Sequence, residues 1–340
     1  MNTERSRLID LLFGFFPAQV IQTMARLAIP DHLALGPMPI AELATATGTH
    51  QPSLYRLLRA AEGLDLIEQD PDGTVRLAAG GELLRSDTEG SIRNLAMLFC
   101  GSDVWRSWGQ LEFSVRTGTP AYSELLGKSA FDRLSDTEDE QAIFTEAMAE
   151  GARAAAPGVV ASCDLSGTRR LADLGGGNGT LLAALLRANP SLEGLLFDTP
   201  AGVADAPPVL ADAEVADRVE IVSGDFFEKV PAGCEAYLLK SVIHDWDDER
   251  SLAILWNCRA AMPPDGTLLV VEPVLPTGKE GLADAKTMLM SDLNMLVCTG
   301  GRERTEEEFR ALLAGGGFRL ESVTRIPPPT AFSVLRAVPA

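Results

Sequence analysis

The sequence predicts an α/β protein: a mostly parallel sheet that ends in an antiparallel strand pair, preceded by a mainly helical N-terminal domain. Two observations carry this. From about residue 161, the apolar runs RLADLGG, LEGLLFD, VEIVSGD, AYLLKSVI and TLLVVEPVL alternate with helix-like stretches, the pattern of parallel strands joined by crossover helices. The last two runs, RLESVTRI and FSVLRAV, stand too close together to enclose a helix, so they are expected to pair antiparallel.

The first 100 residues read as helices with one small hairpin. An apolar stretch from Leu11 to Ala25 is broken by Pro17, Gln19 and Gln22 and preceded by Asp10. It is predicted to be a buried amphipathic helix, too short and too polar to span a bilayer, and without the basic start of a signal peptide. Leu11, Leu12, Phe13, Phe15, Phe16, Val20, Ile21 and Met24 fill more than one helix face, which predicts a homodimer interface. Pro39 opens IAELATATG, and Pro52 opens SLYRLLRAAEGLDLI, in which Leu54, Leu57, Leu58 and Ala61 fall at helical spacing. In IEQDPDGTVRL, Asp70-Pro71-Asp72-Gly73 is a turn between two short strands.

Helix, helix, hairpin is the outline of a winged helix. A nucleic-acid partner is nevertheless not expected. Residues 1–100 hold eight arginines and no lysine against twelve carboxylates, and the whole chain carries a net charge of -19, whereas phosphate recognition needs a basic face. An oligomerisation or lid role is expected instead.

Residues 101–160 are predicted to be helical and are aromatic-rich, with Trp105, Trp108, Phe113, Phe131 and Phe144, and with Phe144 and Met148 on one helix face. Such side chains pack a core or line a pocket equally well, so Trp108, Phe131, Phe144 and Met148 are candidate substrate contacts. The expected division is 1–100, a winged-helix-like dimerisation domain; 101–160, a helical connector reaching the substrate pocket; and 161–340, a cofactor-binding catalytic domain. The five cysteines form no CxxC pair, which indicates neither a disulfide framework nor a zinc site and fits a reducing cytoplasm.

The first strand runs into Asp173-Leu174-Gly175-Gly176-Gly177-Asn178-Gly179. Gly175, Gly177 and Gly179 let the backbone turn tightly against a ligand, but such a loop serves several cofactors. The acidic residues at the strand ends discriminate. Asp198 ends the second strand and Asp225 the third, at the carboxyl edge where doubly wound sheets bind ligands. Asp198 suits ribose hydroxyls. Asp173, beside the glycines, would repel a pyrophosphate but attract a cationic cofactor.

DLGGGNG, LLFDTP, SGDFF, LLKSVIHDWDDE, VVEPVLP and GGRERT occur in this order. Together they resemble the S-adenosylmethionine-dependent small-molecule O-methyltransferases of the plant caffeate and flavonoid type and their bacterial natural-product relatives, over nearly the whole chain. The resemblance implies a Rossmann-like class I methyltransferase sheet, a homodimer, S-adenosyl-L-methionine as cofactor with S-adenosyl-L-homocysteine as product, and a small aromatic substrate. It implies that Gly175 and its neighbours contact the methionine part of the cofactor, that Asp198 holds the ribose, that Asp225 and Phe226 bracket the adenine, and that Lys240 lies near the cofactor. It makes His244 the general base, with Glu272 and Glu303 oriented toward it, and places Phe144, Met148, Asn294 and Met295 at pocket positions.

His244 is one of three histidines and follows a buried-strand pattern at the ligand end of the sheet. With an ordinary pKa near ~6.5 it would be mostly neutral and able to accept a proton. Asp245, Asp247 and Asp248 precede the helix DERSLAILWNCRAAM and are expected to satisfy its first amides. No further ligand set accompanies them, so no metal is expected. Two alternatives stay open: a non-methylating reaction on the same cofactor site (hydroxylation, decarboxylation or cyclisation), and N-methylation of a heteroaromatic.

Overall fold

In β7 successive side chains belong alternately to two separate cores: Ala236 and Leu238 to one, Tyr237 and Leu239 to the other. This period of two is that of a strand buried on both faces, and it locates β7 (Ala236–Lys240) at the centre of a two-sided sheet. The computed structural model describes residues 3–134, 137–278, 281, 285–328 and 330–340, in two compact units, Met1–Trp105 and Arg106–Ala340.

The second unit contains the large sheet. Its strands are β4 (Arg170–Leu174), β5 (Glu193–Asp198), β6 (Val219–Ser223), β7, β8 (Thr267–Leu275), β10 (Phe318–Arg325) and β11 (Phe332–Pro339), in the order β10-β11-β8-β7-β4-β5-β6. A two-residue strand β9 (Arg304–Thr305) pairs with β8 alone. Neighbours from β8 to β6 run parallel, while β11 pairs antiparallel with both β8 and β10, as the short spacing of the last two runs requires. Because β5 lies on one side of β4 and β7 on the other, the chain reverses direction across the sheet at β4. A crevice opens there, at the carboxyl ends of the strands.

Local signals hold as expected. Asp247 caps the helix Asp248–Ala261 by accepting the Arg250 N–H at 2.9 Å. Thr305 and Glu308 form a capping box on Glu306–Gly315. The long helix Glu138–Ser162 packs Ala155, Ala156 and Val159 into the core beside Leu181 and Leu185 of the helix Thr180–Ala188.

In the first unit, the helices Ile40–Ala46 and Gln51–Glu62 precede β2 (Ile67–Gln69) and β3 (Thr74–Leu77), which pair antiparallel around the Asp70–Gly73 turn. β1 (Met38–Pro39) adds a third strand. Leu54, Leu58 and Ala61 are buried along one helical stripe, giving the expected winged-helix outline.

The N-terminal segment differs from expectation. It forms two helices, Thr3–Leu12 and Phe15–Arg26. Nothing in the first is buried, and in the second only Met24 and Ala25 are. Leu12 is 69% exposed and Phe16 52%. A single stripe can be covered by the chain's own core, and Met24 and Ala25, with Val20 and Ile21 packed against that core, provide it; Leu8, Leu11, Leu12, Phe13, Phe15 and Phe16, spread around the helices, are exposed. By length and composition alone Thr3–Arg26 is also long enough to cross a bilayer, which the shorter span considered from sequence was not.

Candidate active site

Where β4, β5 and β7 end, the residues enclose a cavity of about 420 Å³. One end is built by the glycine loop. Gly175 has φ 69° and Gly177 φ 56°, a conformation that disfavours side chains. Gly176 is constrained differently: a Cβ there would stand 2.7 Å from Oδ2 of Asp173. The loop can therefore fold over Asp173 only without a side chain at that position.

Asp173 is 2% exposed, and its Oδ2 has no hydrogen-bond partner among the described residues. Burial, with Asp198 adding to it and Lys240 opposing it, pushes its carboxyl up to about 7. A buried carboxylate without a partner, on the wall of a cavity, is a place for a cation. Asp198 also lines the cavity; burial raises its pKa, although Oδ2 accepts the Gly177 N–H at 2.8 Å and Oδ1 the Thr199 N–H at 2.6 Å. Asp225 sits one residue beyond Gly224 in the loop after β6, where Oδ1 accepts the Phe227 N–H at 2.7 Å. Phe226, Phe227 and Trp246 form an aromatic slot beside it, with centroids 4.8–6.4 Å apart. The Arg250 guanidinium lies 4.2 Å from the centroid of Phe227 and 4.4 Å from that of Trp246. A ligand with a cationic end, vicinal hydroxyls and a flat heterocycle fits this sequence of partners. Lys240 is partly buried, and its Nζ donates to Oγ of Ser241 at 3.0 Å; burial lowers its pKa against the pull of Glu272, Asp173 and Asp245.

The opposite wall is apolar. Phe131, Phe144 and Met148 line the cavity, with Phe131 edge-on to Phe144 at 6.2 Å and stacked on Trp246 at 5.2 Å. Trp108, Asn294 and Met295 are not among the lining residues. Trp108 Nε1 instead donates to Oδ1 of Asn294 at 2.9 Å, and Met295 is buried.

His244 lies in the short turn Ile243–Asp245 that follows β7. Glu272, fully buried on β8, accepts the backbone N–H of Val242 and Ile243 at 2.9 Å and that of His244 at 3.3 Å through Oε1. Its Oε2 lies 3.4 Å from Nδ1 of His244, and Oε1 of Glu303 lies 3.0 Å from the same nitrogen. The opposite ring nitrogen, Nε2, is 3.9 Å from Oδ1 of the cavity-lining Asp245. Both glutamates face Nδ1; His244 itself is not among the residues lining the cavity, whereas its neighbours Val242, Asp245 and Trp246 are.

The GGRERT segment fastens this turn. The Arg302 N–H donates to the His244 carbonyl at 2.9 Å. Fully buried Arg304 donates to the carbonyls of Ile243 at 3.1 Å and Trp246 at 2.9 Å, and pairs with Asp248 at 2.8 Å. Sequence reasoning took the motif as a marker and missed Arg304, which sits in a charged stretch, GGRERTEEE, that gives no sign of burial. It also missed Asp245, Arg250 and Ser291.

The expectation of an ordinary, mostly neutral imidazole does not hold. Burial lowers the pKa of His244, but Glu272, Asp245 and Glu303 outweigh it and hold it up at about 10. Burial raises both Glu272 and Asp245, the latter to about 7. The expectation that no ligand set exists needs correcting too: donor atoms of His244, Glu272 and Glu303 lie within 4.8 Å of one another. Their 3.0 Å contact has hydrogen-bond length, and one Glu272 oxygen is taken by three amides, so the group reads as a proton-holding network.

Comparison with known proteins shows the family. Residues 108–319 match the O-methyltransferase domain family and residues 9–86 the O-methyltransferase dimerisation domain family. O-demethylpuromycin-O-methyltransferase of Streptomyces alboniger is 39% identical over 338 residues, covering 98% of this chain and 89% of its own. 3-Amino-4-hydroxybenzoate 4-O-methyltransferase of Streptomyces cremeus is 40% identical over 331 residues, covering 97% and 89%. The crystal structure of LaPhzM superposes with a TM-score of 0.93 at 39% identity, covering 99% of each chain. The chain belongs to the O-methyltransferase family: it is an S-adenosylmethionine-dependent methyltransferase with a class I methyltransferase fold and a dimerisation domain.

Proposed function

We propose that the chain methylates a hydroxyl group of a small aromatic molecule and that His244 is the base. The observation that carries this reading is one cavity that joins the unpartnered carboxylate of Asp173 to the apolar wall of Phe131, Phe144 and Met148. Relatives whose names specify a hydroxylated aromatic acceptor support it.

When bound, S-adenosylmethionine supplies an electrophilic methyl group on a sulfonium. Asp173 is suited to its cationic end, Asp198 to its ribose, and the Phe226–Trp246 slot beside Asp225 to its adenine, with Lys240 close by. The acceptor ring would stack against Phe131, Phe144 and Met148, which exclude water and hold its oxygen in line. Proximity and orientation of this kind contribute ~7–11 kcal/mol to such reactions. His244 takes the hydroxyl proton at Nε2, while Glu303 accepts Nδ1–H and the nearby charge of Glu272 helps stabilise the imidazolium, adding ~10²–10⁴-fold. The acids around His244 raise its proton affinity, which favours uptake of the acceptor's proton once the ring is neutral. No residue role requires a metal.

Trp108, Asn294 and Met295 are assigned to the acceptor side through the helix Lys286–Cys298. Residues 1–100 serve dimerisation, 101–160 connect, and 161–340 carry the cofactor site and the base. The exposed apolar residues of Thr3–Arg26 support an obligate homodimer, and five free cysteines support a cytoplasmic location.

The test is a screen of phenolic acceptors with radiolabelled cofactor and mass detection of one added CH₂ per product, with and without EDTA. Methylated phenols formed equally in both arms are expected. Labelled amines only, a product without the label, or a rate lost to EDTA and restored by magnesium would overturn the reading.

A further inference from the structure

The helix Lys286–Cys298 presents Ser291, Asn294, Met295 and Cys298 along one face. Two consecutive residues of this helix grip Glu303. The Ser291 hydroxyl donates to Oε1 at 2.7 Å, the same oxygen that lies 3.0 Å from Nδ1 of His244. Asp292 accepts the Glu303 N–H through Oδ1 at 2.9 Å. The second carboxylate oxygen, Oε2, has no partner among the described residues, and the side chain is fully buried. The terminal torsion of a glutamate is broad and nearly two-fold. The backbone anchor therefore leaves the plane of the carboxylate free to turn; the Ser291 hydroxyl, on the oxygen that meets the imidazole, restrains it. One helical turn further on, Asn294 holds the indole of Trp108.

We infer that Ser291 is a positioning residue, whose hydroxyl locks the Glu303 carboxylate and thereby the His244 ring. The helix bearing Asn294 and Met295 is thus mechanically tied to the base, so that a displacement of this helix is felt at Nδ1. The inference rests on His244 being the base.

The experiment uses the full chain and the variants Ser291→Ala, Ser291→Thr, Glu303→Gln and Ser291→Ala/Glu303→Gln. Only His32, His50 and His244 are present, so ring N–H protons can be assigned in histidine-labelled protein by proton NMR without any acceptor. Wild type is expected to show a downfield, exchange-protected His244 N–H. Ser291→Ala is expected to broaden it or lose it, and Ser291→Thr to restore it, all three melting alike. With a phenol identified by the screen, Ser291→Ala is expected to lower kcat about 10-fold with KM nearly unchanged, the size typical of a group that orients a functional histidine from behind. In the Glu303→Gln background the same change is expected to cost less than about 2-fold, because coupled residues are non-additive. An unaltered N–H signal in Ser291→Ala, failure of threonine to restore it, or equal losses in both backgrounds would overturn the proposal. Undiminished turnover in His244→Ala would overturn the base assignment instead, and the NMR signal separates the two failures.

Discussion

A Cβ placed on Gly301 would stand 2.0 Å from the carbonyl oxygen of His244. The GGRERT segment thus rests its bare backbone on the turn that carries the base, and this contact sets how closely Arg302 and Glu303 approach. Gly301→Ala is expected to push the turn away and lower kcat by at least about 10-fold, with cofactor affinity near wild type. Calorimetry and turnover on the same preparation check this; equal kcat would show that the turn accommodates a methyl group.

His244→Ala is expected to lower turnover by about 10²-fold or more without changing cofactor affinity. In wild type the base must be unprotonated to act. Burial lowers its pKa, but Glu272, Asp245 and Glu303 hold it near 10, so kcat is expected to rise from neutral pH toward alkaline pH. A pH–rate profile that falls above neutrality would contradict the assignment.

Asp198→Ala is expected to weaken cofactor binding by roughly 1.5–3 kcal/mol, as for a lost charge-assisted hydrogen bond. Asp198 also accepts the Gly177 N–H, so the glycine loop loosens in the same variant, and Asp198→Asn should recover part of the loss. Titration calorimetry showing equal affinity in Asp198→Ala would remove Asp198 from the cofactor site.

Asp173 gives a pH dependence of definite sign. Burial and Asp198 raise its carboxyl from 3.8 to about 7. The ligand-free fold therefore binds this proton more tightly than the unfolded chain does. The associated penalty is absent below the lower value and complete above the higher one, so stability falls as pH rises through that window. A cationic ligand requires the ionised carboxylate. Its affinity should climb with pH up to about 7 and level off above, with proton release on binding at the acid end. Asp173→Asn is expected to bind more weakly and to flatten the slope. A slope that survives in this variant belongs to another group.

Removing residues 1–25 is expected to cost both dimerisation and solubility, because Leu8, Leu11, Leu12, Phe13, Phe15 and Phe16 are all more than two-fifths exposed in the single chain. Analytical ultracentrifugation decides. A full-length active monomer at micromolar concentration would refute the obligate dimer.

Much of this was readable in advance, for local reasons. The strands β4, β5, β7 and β8 are apolar runs of near-uniform character because both their faces are covered, and the capping box at Thr305 and the Asp247 cap depend only on neighbouring residues. The glycine loop and its acidic companions are likewise local. What could not be read depends on contacts across long sequence separations. Arg304 is dictated by the carbonyls of a turn some sixty residues earlier. The shift of His244 arises from three acids, two of them distant in sequence. The N-terminal helices escaped for the opposite reason: their periodicity states that an apolar face must be covered but not by which chain.

Phe131, Phe144 and Met148 all precede the first strand of the large sheet, whereas Glu272, His244 and Glu303 all follow its fourth. The proposed acceptor wall therefore comes largely from one stretch of the chain and the proposed base from another, with Asn294 and Met295 as exceptions in the second. A recombination crossover near residue 165 would also replace Trp108, whose indole donates to Asn294, so new acceptor preferences are expected to arise more readily by substitution along Glu138–Ser162.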